Sequence, residues 1–201
     1  MALNYANNQS LSNITALPAG ISGGALTLLQ TQTASSSATI DFTSNIDSTY
    51  DAYMFKFYDI HPATDDTEFS FNGSTDGGSN YNITKTTTNF RSYHKEDDSS
   101  TQLTYLTSDD LAQSTGFQKL SSPVGNGNDE NCVGTIIIYK PSDTTFVKHF
   151  ISRFQTYFFN DSSSENYVAG YFNTTSAINA IQFKFTSGNT DTGTIKLYGV
   201  S

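Results

Sequence analysis

Residues Ala180–Ser201 read AIQFKFTSGNTDTGTIKLYGVS. Ile181, Phe183 and Phe185 alternate with Gln182 and Lys184. A run of Ser187, Gly188, Asn189, Thr190, Asp191, Thr192 and Gly193 follows, and then Ile195 and Leu197 alternate with Thr194, Lys196 and Tyr198. Period-two alternation on both sides of a Gly/Asn/Asp-rich turn predicts a β-hairpin. Each arm has one wet face and one apolar face, so the pair must lie over a core built by earlier residues. Phe183, Phe185, Ile195 and Leu197 are the expected core positions, and the hairpin over 180–200 is expected to close an all-β domain.

A chain of 201 residues suits one domain. Hydrophobic residues make up only 36%, with mean hydropathy -0.39, but 15 Phe and 12 Tyr give enough buried area for a core. Ser, Thr, Asn and Gly between them favour strands and turns. The net charge of -9 and a pI near 4.5 oppose nucleic-acid binding, which needs clustered Lys and Arg. Cys132 is the lone cysteine, so no disulfide framework and no cysteine metal site is expected. MALNYANNQSLSN has neither the basic nor the apolar region of a signal peptide, and no apolar run approaches a membrane span. Synthesis in a reducing cytoplasm, with no membrane partner, is the expectation.

Residues 1–24 differ from the rest. Leu3, Tyr5, Leu11, Ile14, Leu17 and Ile21 are scattered among Asn, Ser and Gly with no sustained period. Burying six such side chains yields about 1.5–3 kcal/mol each. Ordering two dozen residues costs roughly 1–2 kcal/mol each in backbone entropy alone. An ordered arm here therefore needs main-chain hydrogen bonds from a sheet edge or a neighbouring subunit. Those six residues are the candidate partner-binding positions of an extended N-terminal arm.

The body, 25–201, supplies strand signals in sequence. Ala25–Gln30 and Ala38–Phe42 flank a Ser/Thr-rich turn. Tyr50–Ile60 (YDAYMFKFYDI) puts Tyr53, Phe55 and Phe57 on one face and Met54 and Tyr58 on the other, which predicts a central strand. Thr67–Asn72 places Phe69 and Phe71 inward, and Tyr81–Tyr93 is a long Thr-rich strand. His94–Asn131 is polar, with one possible helical turn at Ser108–Gln113, and otherwise reads as a long, functional or mobile loop. Cys132–Tyr139 and Tyr167–Asn173 return to strand. Phe146, Phe150, Phe154 and Phe158 recur every four residues, which fits a helix face as well as one side of a strand. Thr144, Thr145 and Thr156 favour strand. Eight to ten strands predict an antiparallel two-sheet jelly-roll-like β-sandwich.

No constellation stands out as catalytic. Gly20-Ile21-Ser22-Gly23-Gly24 matches G-x-S-x-G, but lies in the arm without the strand and helix that a nucleophile elbow needs. His61, His94 and His149 lack metal-site spacing. Asp65, Asp66, Glu68, Asp76, Asp97, Asp98, Asp109 and Asp110 offer carboxylates for a glycosidase pair, but sit where solvated Asp is ordinary. Asn72–Asn80 and Asn126–Asn131 crowd oxygen ligands, which suits calcium or simple Asx turns. Tyr81, Tyr93, Tyr105 and Tyr167 are candidates for stacking on sugars. The expectation is a non-enzymatic protein with no cofactor and no catalytic or metal site.

FKFTSGNTDTGTIKLYGV resembles the closing pattern of small structural proteins of tailed bacteriophages, notably marine and cyanobacterial ones. SGGALTLLQTQTASSSATIDF, YDAYMFKFYDIHP, GTIIIYKPSDTTFVKHFISRFQ and VAGYFNTTSAINAIQFKF extend the resemblance over most of Ser22–Ser201. It implies a virion component: a capsid decoration (cement) protein, or a head or tail fibre, with a β-sandwich body. The implied partners are itself, as a trimer, and the major capsid protein or another virion protein. The alternative is a fibre module that grips a host surface glycan.

Overall fold

The computed structural model describes residues 25–201. The candidate arm residues Leu3, Tyr5, Leu11, Ile14, Leu17 and Ile21, and the Gly20–Gly24 motif, lie outside the described residues. The described chain folds into β1 (Leu26–Ser37), β2 (Ile40–Phe42), β3 (Ala52–Pro62), β4 (Phe69–Ser74), β5 (Lys85–Lys95) and β6 (Thr101–Tyr105). It continues through β7 (Gln118–Lys119), β8 (Cys132–Tyr139), β9 (Lys148–Phe158), β10 (Ser162–Phe172), β11 (Ala180–Phe185) and β12 (Thr190–Val200). Among the described residues there is no helix. The strands form two antiparallel sheets, one of order β1-β12-β3-β8-β9-β10-β5-β6 and one of order β2-β11-β4-β7. This is the expected all-β sandwich, with unequal layers.

The predicted closing hairpin does not form. β11 pairs with β2 and β4 in the small sheet, whereas β12 pairs with β1 and β3 in the large one. Thr186–Asn189 carries the chain from one layer to the other. Both arms still bury their apolar face, because the two sheets face each other across one core. Alternation reports which side is buried; it does not report the pairing partner. The crossing is held by hydrogen bonds. Thr186 N donates to Glu68 O (2.9 Å), Ser187 N to Thr67 Oγ1 (3.0 Å) and Ala63 N to Asn189 O (2.9 Å). Gly188 sits there at φ +70°, with the Thr64 side chain where a Cβ would stand.

Between the layers lies an aromatic core. Phe55 and Phe57 of β3 and Phe154 of β9 meet Phe69 and Phe71 of β4 and Phe183 of β11, all almost fully buried. Residues 148–158 are a strand, so the phenylalanines at spacing four share its inner face, and Ile151 points outward at 54% exposure. Phe146 precedes the strand and is 70% exposed.

Four strands cannot roof eight. The inner face of the β9–β10–β5 half is accordingly polar: Ser152, Thr156, Ser164, Asn166, Asn89 and Thr87 are all buried. The polar middle of the chain covers it, with backbone groups that need such partners. Leu106 N donates to Asn89 O (2.8 Å), Thr87 N to Leu111 O (2.9 Å) and Lys85 N to Ser114 O (2.8 Å). Ser122 Oγ donates to Asn166 Oδ1 (2.7 Å), and Thr87 Oγ1 to Gln118 Oε1 (2.5 Å). Residues 94–131 thus contain β6, β7 and a structural cover. The single helical turn expected at Ser108–Gln113 is replaced by an earlier hydrogen-bonded turn, closed on Leu106 O by the N–H groups of Asp109 and Asp110.

Candidate functional site

The dispersed candidates from the sequence do not converge. His61 Nε2 lies 3.0 Å from Gly127 O, His94 Nε2 lies 3.0 Å from Asp98 Oδ1, and His149 packs near Tyr171. Among the described residues no three His, Cys, Asp or Glu side chains cluster as metal ligands. Asp76 folds back on its own loop, accepting from Ser74 Oγ (2.6 Å), Asn80 N (2.9 Å) and Asn80 Nδ2 (2.7 Å). Glu130 accepts from Gly127 N (2.5 Å). These are the Asx-turn alternatives to calcium. Asp65, Asp66, Asp97 and Asp98 lie in separate exposed turns.

Two of the eight carboxylates meet. Lys119 Nζ donates to Glu68 Oε1 (2.6 Å) and Asp109 Oδ1 (3.0 Å), while Thr186 Oγ1 donates to Glu68 Oε2 (2.8 Å). Burial alone would raise the Glu68 pKa, but the Lys119 and Thr186 hydrogen bonds outweigh it and hold it below the usual value. A general acid needs the opposite shift. The trio therefore ties the covering loop to β4 and is structural.

The outward face of the large sheet is the surface that sequence reasoning did not single out. Opposite its buried core, each strand presents alternate residues to solvent. One register row runs Lys196, Lys56, Thr135, Arg153, Tyr167, Phe90 from β12 to β5. The next runs Tyr198, Met54, Ile137, Ile151, Ala169, Thr88. Tyr139 (41% exposed), Phe90, Tyr105 and Leu103 add further apolar area. The alternation in β3 predicted a covered second face there; the face is left half-exposed. The available signal was that Lys56 and Lys196 share this side with Tyr58 and Tyr198.

Its chemistry is mixed. Lys56 Nζ stands over the Tyr198 ring and Lys196 Nζ over Tyr58, at 5.6 and 5.4 Å from the ring centroids. Arg153 Nε donates to Glu165, and Tyr167 Oη also donates to Glu165 (2.8 Å). Tyr167 stacks on Phe90, centroids 4.9 Å apart. The Arg153 and Tyr167 bonds hold Glu165 below its ordinary pKa, Arg153 contributing most. Of the four tyrosines predicted to stack on sugars, Tyr105 and Tyr167 belong to this face. Tyr93 donates to or accepts from Ser100 (3.2 Å), and Tyr81 is half-buried beside the Asp76 loop. The face carries aromatic, cationic and acidic groups suited to recognition. No protein-family model, curated protein or solved structure matches the chain.

Proposed function

We propose that the protein is a non-enzymatic structural component of a bacteriophage virion, a capsid decoration protein that attaches through residues 1–24 and self-associates. The phage assignment rests on the sequence resemblance. The observation that supports attachment is the edge at β1. This twelve-residue strand pairs only with β12 among the described residues, and it follows directly on segment 1–24. Leu26 and Leu28 there are exposed, Leu28 at 52%. A long edge with exposed leucines is a ready template for strand addition by another chain. The net charge of -9 makes a protein surface, not packaged nucleic acid, the fitting partner.

Removing residues 1–24 tests the reading. The body is expected to fold, because its core lies after residue 24, while incorporation into purified particles drops to background. Normal copy number of the truncated protein on particles would refute arm attachment. A second reading, a fibre module that grips a host glycan, draws on the Phe90–Tyr167 stack beside Tyr105. Binding of a neutral or acidic glycan, lost in Tyr167→Ala, would favour it.

A further inference from the structure

We propose that the outer face of the eight-stranded sheet docks on the same face of a second copy, through a twofold axis that runs along the strands between β8 and β9. The first argument is area. Six strands at about 4.8 Å, each showing four outward rows about 6.7 Å apart, give roughly 800 Å². That equals one partner's share of a standard stable interface. Aligned sheet-on-sheet packing is one of the two ways such faces meet. The composition fits as well: Tyr, Phe, Met and Arg are enriched at interfaces.

The second argument is charge, and it selects both occupant and axis. Lys56 and Lys196 are direct cross-strand neighbours. Like charges so placed are destabilising. Neither has an acidic partner among the described residues. On the six strands from β12 to β5, Glu165 is the acid central to this face, and it lies on the other side of the β8/β9 midline. An axis along the strands keeps each register row and exchanges the halves, so β3 meets β10 and β12 meets β5. Lys56 then faces the Glu165–Tyr167 pair of the second copy, and Lys196 faces its Phe90. Ile137 meets Ile151, and Met54 meets Ala169. A twofold axis across the strands would instead set β3 on β3 and lysines on lysines. The contact thus brings Lys56 the acid that the single copy lacks and sets Lys196 on an aromatic ring rather than on another lysine.

This inference refines the proposed self-association and is independent of arm attachment. Light scattering of the full chain at about 100 µM, where even a micromolar contact is saturated, is expected to give a mass that Ile151→Glu halves. Ile151 is more than half exposed, so the substitution leaves the fold intact, as circular dichroism would register. Geometry is read with a short bismaleimide. Cys132 is buried and stays unreactive. Mixed Met54→Cys and Ala169→Cys chains are expected to cross-link, whereas Met54→Cys alone is not, because its two copies sit about 14 Å apart laterally. A monomeric wild type, a mass indifferent to Ile151→Glu, or Met54→Cys linking to itself as readily as to Ala169→Cys would each overturn the proposal. None of these results touches particle attachment, which is read by deleting residues 1–24.

Discussion

Phe183→Ala is expected to lower the unfolding free energy by about 3–5 kcal/mol, the range for emptying a fully buried phenylalanine site. The ring has no solvent exposure and stands where the layers meet. It approaches Phe57 at 4.9 Å and Phe55 at 5.2 Å edge-on across the sandwich, and stacks on Phe69 at 6.0 Å within its own sheet. Each such pair adds about 0.5–1.5 kcal/mol beyond its buried area. Those neighbours are themselves locked, Phe57 and Phe69 by Phe154 and Phe55 by Phe42, so collapse into the void is restricted. Domains of this size have about 5–15 kcal/mol in total, so the loss is a large fraction. Urea unfolding monitored by tyrosine fluorescence measures it. Phe146→Ala, at a 70% exposed ring, serves as the control and is expected to stay within about 0.5 kcal/mol. Equal midpoints for the two variants would show that the core is not centred on β11.

That contrast also marks how far the sequence was readable. Inward positions follow from alternation, and Phe183, Phe185, Ile195 and Leu197 are all buried as expected. The strand choice for 148–158 follows from β-branched neighbours and the all-β setting. Pairing is another matter. Nothing local distinguishes a hairpin from a crossing between layers when both arms show the same alternation and the turn is rich in Gly and Asn. The tie between Thr186 and Glu68 that decides it spans 118 positions of chain. The polar middle misled for a related reason. Its polarity suggests solvent, yet the buried face it covers is equally polar, and bonds such as Ser122 to Asn166 and Thr87 to Gln118 join the two inside. For the outer face, the rows exist only once eight strands are in register, and no segment alone displays Lys56 beside Lys196.

Lys85 was also hidden within a Thr-rich strand signal, and it predicts how stability depends on pH. It lies on β5 with no solvent exposure. Nζ donates to Asn72 Oδ1 (2.6 Å) and Ile83 O (2.9 Å), and stands 5.7 Å from the centroid of Phe172. The orientation of Asn72 is set by its Nδ2, which donates to Tyr81 O (2.8 Å) and Thr115 O (3.0 Å). Among the described residues no carboxylate pairs with Lys85. Burial therefore pushes its pKa down from 10.5 to about 7. In the unfolded chain the amine keeps its ordinary value, so between pH 7 and 10.5 the unfolded state binds more protons. Stability then rises with pH across that window, at up to about 1.4 kcal/mol per unit. Other groups complicate the raw profile. Burial raises the Cys132 pKa, which costs stability as the unfolded thiol ionises near pH 9, and half-buried Tyr81 acts likewise at higher pH. Burial lowers Lys148, which adds to the rise. A difference measurement cancels all three. Lys85→Met keeps most of the side-chain volume and leaves Asn72 Oδ1 the Gly73 N–H, already bonded at 2.8 Å. The unfolding free energy of wild type minus that of Lys85→Met is expected to grow by about 2 kcal/mol from pH 7 to pH 9. Parallel pH profiles would mean that the amine is hydrated or paired in solution, and that the contact between Asn72 and Lys85 does not seal this end of the sandwich.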